Sequence, residues 1–138
     1  MRNNGLKPST FKHVEAELAN YHETQKEIAK RREELMYPTM SEELVGSRGS
    51  MVSDPTSAKA ARIVMDRRLR ELERIEDAIT SVYDRLEEKP KQLVHMVYWT
   101  RNKKTWEGVA MELEIGRTTL FRWRNEIIKE IADRLGWK

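Results

Sequence analysis

The chain contains no cysteine, which excludes disulfide bridges, thiolate zinc sites and thiol catalysis. Apolar residues make up only 38% of it and aromatics 7%. No apolar run approaches the length of a membrane span, and the opening Met1-Arg2-Asn3-Asn4 lacks the apolar centre of a secretion signal. A soluble, cytoplasmic protein is therefore expected. Val and Ile never fall into alternating runs bounded by turns, so no strand is predicted. Glycine-rich phosphate loops and nucleophile elbows are missing. His13, His22 and His95 have no second histidine or carboxylate at ligand spacing. No catalytic residue, metal site or cofactor is expected, and the chain reads as a non-enzyme.

What the chain has in abundance is charge: Asp, Glu, Lys and Arg form 36% of it, set between apolar residues at helical spacing. That combination predicts solvated helices and an all-α fold. At 138 residues, the length suits one domain, or one small domain with an elongated attachment. Charge is unevenly placed. Residues 1–86 balance at 15 basic and 15 acidic, whereas residues 87–138 hold 11 and 8. Within 117–129, Arg117, Arg122, Arg124 and Lys129 stand against the single acid Glu126. A basic helix of this kind is the electrostatic footprint that DNA binding requires.

That helix belongs to the most informative stretch, Thr105 to Asn125, which reads TWEGVAMELEIGRTTLFRWRN. It has the build of a helix-turn-helix. Ala110 is the small residue where two helices cross, and Val109, Leu113, Ile115, Leu120 and Trp123 supply the apolar contacts. The turn is Glu114-Ile115-Gly116, with Glu114 where glycine would more readily supply a positive φ. A second helix starting near Gly116 or Arg117 would present Arg117, Thr118, Thr119, Phe121, Arg122 and Asn125 on its uncommitted face. Donors and small contact groups there suit base edges and phosphates. The competing reading is a helical hairpin that packs on the protein and never meets DNA.

Upstream, residues 1–8 read as a flexible end. A helix from Ser9 or Thr10 to about Met36 carries a seam of Phe11, Val14, Leu18, Tyr21, Ile28 and Leu35, interrupted by Gln25 and Arg32. Tyr37-Pro38 ends it, and residues 37–57 form a mobile connector. A second helix, from Ser57 to about Leu86, carries Ala58, Ala61, Met65, Leu72, Ile75, Ile79, Val82 and Leu86. The two helices form either an antiparallel hairpin or coiled coils with another copy. Residues 9–86 are thus assigned to self-association as a homo-oligomer, and 87–138 to a DNA-binding domain that opens with a helix over Lys91 to Trp99. Its last helix runs on through Ile127, Ile128, Ile131 and Leu135 to a cap at Gly136.

The block from Lys89 to Lys138 resembles the fourth region of bacterial sigma factors: a proline-started helix, a short link, then the helix-turn-helix. The string KKTWEGVAMELEIGRTTLFRWRNEIIKEIADRLGW, behind a long helical N-terminal half, is similar to the RinA-type phage transcriptional activators. That resemblance implies a sigma-like domain on a helical attachment, binding double-stranded DNA at phage promoters of late or packaging genes in a bacterial host, with RNA polymerase as a further partner. It places DNA reading on Arg117, Thr118, Thr119, Phe121 and Arg122. Gly116 stands where many relatives carry a Ser or Thr cap. The alternative is a small DNA-packaging protein of the terminase small-subunit type, binding packaging-site DNA as a ring.

Read from chemistry, Arg117 and Arg122 suit guanine edges or phosphates. Thr118 and Thr119 suit phosphate at a helix N-terminus. Phe121 suits a thymine methyl or a neighbouring helix equally. Arg101, Lys103 and Lys104 are placed to grip the backbone. Trp99, Trp106, Trp123 and Trp137 are assigned to the core.

Overall fold

A computed structural model describes residues 5–37 and 55–138 of the chain. Among these the fold is all-α, with no strand. The helices are α1 (Pro8–Ala19), α2 (Tyr21–Met36), α3 (Pro55–Met65), α4 (Arg67–Asp84), α5 (Glu88–Tyr98), α6 (Trp106–Leu113) and α7 (Arg117–Leu135). None of the described helices is long and apolar enough to cross a membrane. The connector expected over residues 37–57 lies almost entirely outside the described residues, and α3 begins two residues before the predicted Ser57.

Each of the two long helices expected upstream is broken once. The first breaks at Asn20, whose φ of −90° and ψ of 7° depart from helical values. Its N–H still reaches the Ala16 carbonyl at 3.0 Å. Beyond the break the buried stripe changes register. Thr24 and Ile28 are buried, while Gln25 and Arg32, assigned to the seam, are exposed. The second breaks at Asp66, whose carboxylate Oδ1 accepts the Leu69 N–H at 2.7 Å and thereby caps α4. Below this break Ala58 and Ala61 are exposed; above it Leu69, Leu72, Ile75, Ala78, Ile79 and Val82 are buried.

The chain divides into two compact units, and the division differs from the expected boundary at residue 87. One unit combines the described part of Met1–Tyr21 with Ile75–Lys138; the other is the described part of His22–Arg74. The physical reason is that α1 and the later part of α4 supply core to the C-terminal helices. Phe11, Val14 and Leu18 share one buried cluster with Ile79, Val82, Leu93, Leu113, Leu120, Ile128 and Leu135. Helix α1 packs on α5 and α7, α5 on α6 and α7, and α6 on α7. Leu6, in the stretch assigned to a flexible end, is itself buried in this cluster.

Among the described residues of the second unit, Ile28 packs with Leu69 and Leu72, flanked by Leu35 and Ile63. The α2 seam is therefore covered within the chain at Ile28. Ion pairs surround it. Arg31 donates through Nε and Nη2 to the Asp66 carboxylate at 2.8 and 3.1 Å. Arg32 pairs with Glu73 at 2.9 Å and Arg68 with Glu27 at 3.6 Å. The Arg31 guanidinium, with the Leu69 N–H, holds the Asp66 carboxyl below the usual carboxylate range.

Candidate nucleic-acid interface

Helix α6 starts where Thr105 Oγ1 accepts the Gly108 N–H at 3.0 Å. It ends on Glu114 at φ 58°, ψ 46°, the left-handed region. The Glu114 N–H reaches Met111 O at 3.2 Å and the Ile115 N–H reaches Ala110 O at 3.0 Å. Those two bonds are the Schellman closure that turns a chain sharply out of a helix. Glutamate thus holds the position the sequence assigned to a positive φ. Gly116 lies at φ −78°, ψ 161° and starts α7 with no side-chain cap. Val109, Ala110, Leu113 and Leu120 are buried at the crossing, and Ile115 and Trp123 pack half-buried against the same core. The two-helix geometry therefore comes from the residues expected to set it.

The open side of α7 carries Arg117, Thr118 and Arg122, all exposed, with Thr119 half-buried. The Arg117 Nη1 lies 3.0 Å from Glu107 Oε1 of α6, and its guanidinium carbon lies 5.6 Å from the Phe121 ring centre. Arg122 Nε lies 3.8 Å from Glu126 Oε1. Before α6, Arg101, Lys103 and Lys104 are exposed. Lys103 Nζ donates to Val97 O at 3.1 Å, and Lys104 pairs with Glu112.

Two expectations are corrected. Asn125, expected on the open face, is only 7% exposed, because it follows the stripe of Ile128 and Ala132 at helical steps of three and seven. Its Oδ1 accepts from Arg124 Nε and Nη2 at 3.3 and 3.0 Å. Arg124 also leaves the basic face. It is half-buried, with its guanidinium carbon 5.1 Å from the Phe11 ring centre, 5.5 Å from Trp106 and 5.1 Å from Phe121. Arg124 stands one turn after Leu120 and one before Ile128, a spacing that points it inward. Phe121, left between thymine and packing, meets Trp106 edge-on at 5.1 Å and so takes the packing role.

Beside Arg124 the Tyr98 hydroxyl donates to Glu15 Oε2 at 2.6 Å. Burial, with the Glu15 carboxylate as hydrogen-bond partner and neighbouring charge, pushes the Tyr98 hydroxyl above the usual tyrosine range. The Tyr98–Glu15 bond thus ties α5 to α1, and the Arg124 guanidinium over the Phe11 ring ties α7 to α1. These contacts cannot be read from local spacing, because Glu15, Tyr98 and the Arg124–Asn125 pair lie on three distant stretches. The other tryptophans are structural: Trp99 Nε1 donates to Leu18 O at 2.8 Å, and Trp137 stacks on His13 at 4.3 Å. No group of residues able to hold a metal ion occurs among the described residues. The arrangement offers a cationic helix N-terminus with hydroxyls beside it.

The model of a family described as a protein of unknown function (DUF722) matches residues 12–133. No curated protein and no solved structure matches the chain.

Proposed function

Since the chain belongs to the DUF722 family, whose description leaves function open, we propose a role from its own residues: a sequence-specific regulator that binds double-stranded DNA. Helix α7 enters the major groove by its N-terminal turns. Arg117 and Arg122 meet guanine edges or phosphates, while Thr118 and Thr119 meet the backbone at the helix start. Arg101, Lys103 and Lys104 hold the flanking phosphates. The observation that carries this reading is the α6–α7 pair itself. Its crossing is buried through Val109, Ala110, Leu113 and Leu120, while Arg117, Thr118 and Arg122 stay exposed. The activator role at phage promoters, the contact with RNA polymerase and the bacterial cytoplasm come from the resemblance to RinA-type proteins. The proposed homo-oligomer comes from the heptad spacing upstream.

The test is titration of labelled duplex with the full chain at two salt concentrations. Affinity should fall steeply with salt as phosphate counterions are released. Arg122→Ala should lose about 1–3 kcal/mol and relax the base preference. Unchanged affinity and preference in that variant would remove Arg122 from the reading face. A wild-type chain without salt-dependent duplex affinity would sink the proposal.

A further inference from the structure

Arg117 differs from the other exposed cations of the helix pair in being held from two directions. Its Nη1 faces Glu107 Oε1 at 3.0 Å, and its guanidinium carbon lies 5.6 Å from the Phe121 ring centre. The same ring meets Trp106 edge-on at 5.1 Å and the Arg124 guanidinium carbon at 5.1 Å. Glu107 and Trp106 are neighbours at the start of α6, so one helix orients a side chain of the next. By contrast, Arg122 meets its carboxylate at 3.8 Å within its own helix, and Lys104 is an ammonium without a plane to orient.

We propose that Glu107 is a positioning residue for base reading: it fixes the plane of Arg117 so that the remaining guanidinium donors meet one base pair. This rests on the DNA-binding reading given above. The ion pair is exposed, with side chains 58% and 61% accessible, and solvated pairs of that kind contribute little to stability. Its consequence is therefore geometric. Bidentate contact with a guanine edge needs the planar fork in one orientation, and a guanidinium free to rotate settles on whichever phosphate is near. Glu107 also discourages that second outcome, since its carboxylate repels phosphate. Specific contact gains and non-specific contact loses from the same side chain.

Glu112 provides the matched control. It is an acid on the same helix, paired with Lys104 rather than with Arg117. The experiment selects bound duplexes from a random-sequence library with the full chain, sequences them, and measures affinity for unselected duplex. Four proteins are compared with wild type: Glu107→Gln, Glu112→Gln, Arg117→Ala and the Glu107→Gln, Arg117→Ala double variant. Glu107→Gln should lose preference at one base position by up to about fivefold, the limit set by a solvated ion pair, with unselected duplex bound up to about fivefold more tightly. Arg117→Ala should lose preference at the same position, and adding Glu107→Gln to it should change that preference no further. Glu112→Gln should tighten unselected binding and leave the preference intact. The inference is overturned if Glu107→Gln keeps the wild-type preference, or if the two changes act on different positions. A wild-type chain that enriches no sequence overturns the DNA-binding reading as well, which separates the two failures.

Discussion

Glu114 occupies a backbone conformation that glycine adopts freely and that costs an L side chain about 1–2 kcal/mol. The turn between α6 and α7 is closed by the Glu114 N–H to Met111 O and Ile115 N–H to Ala110 O bonds, which hold this residue against its own preference. Glu114→Gly should relieve the strain, offset in part by the greater freedom glycine has in the unfolded chain. The expected gain is about 0.5–1 kcal/mol, seen as a rise in the thermal midpoint of the C-terminal helices. A fall in that midpoint would mean that the glutamate makes a favourable interaction stronger than the strain. Gly116, by comparison, stands in ordinary extended backbone with open space around its Cα. Its lack of a side chain follows from no steric requirement in the fold. Glu114 and Gly116, two positions apart, thus reverse the usual assignment, with the bulky one in the turn and the bare one at the cap.

At the scale of elements, the helix pair was legible because its apolar spacing, its small crossing residue and its turn all lie within about two dozen consecutive residues. The breaks upstream were not. A heptad count runs smoothly through Asn20 and Asp66, since neither residue interrupts the spacing of apolar side chains. What ends each helix is polar and local, and at Asp66 the signal was an aspartate three residues before Leu69, a capping pattern inside a charged run. Arg124 and Asn125 were misplaced for the opposite reason: their chemistry suggested an outward face, while their spacing from Leu120, Ile128 and Ala132 assigned them inward. The Asp66 break carries a pH dependence. Its carboxyl is held below the usual range by Arg31, so the folded state binds the proton less readily than the unfolded chain. The stability it confers is complete above the ordinary aspartate value of about 4 and is lost as pH falls further, through its lowered value. Helical circular dichroism titrated from neutral to acid should show the α2–α4 unit weakening there. Asp66→Asn should flatten that part of the titration, and an unaltered curve would show that Asp66 is not its source.

For the whole molecule, the consequence is that the candidate DNA-binding unit is discontinuous in sequence. Residues 87–138 contain the helix pair but not its full core, which also draws on Leu6, Phe11, Val14, Leu18, Ile75, Ile79 and Val82. Removing residues 1–21 withdraws four buried apolar side chains worth about 1.5–3 kcal/mol each. Their sum approaches the entire stability of a typical domain, about 5–15 kcal/mol. Such a chain should unfold without a cooperative transition in its C-terminal helices, by near-ultraviolet circular dichroism and thermal melting. A sharp native-like melt would show that α1 is dispensable. The stacking of His13 on Trp137 extends the same point into the order of synthesis. A ribosome releases α1 long before it makes α5 and α7, the two helices packed on it, so Phe11, Val14 and Leu18 wait without that cover until both have emerged. A message cut short before Glu88 therefore yields a product whose greasy N-terminal ridge lacks both covering helices, which quality-control proteases can grip.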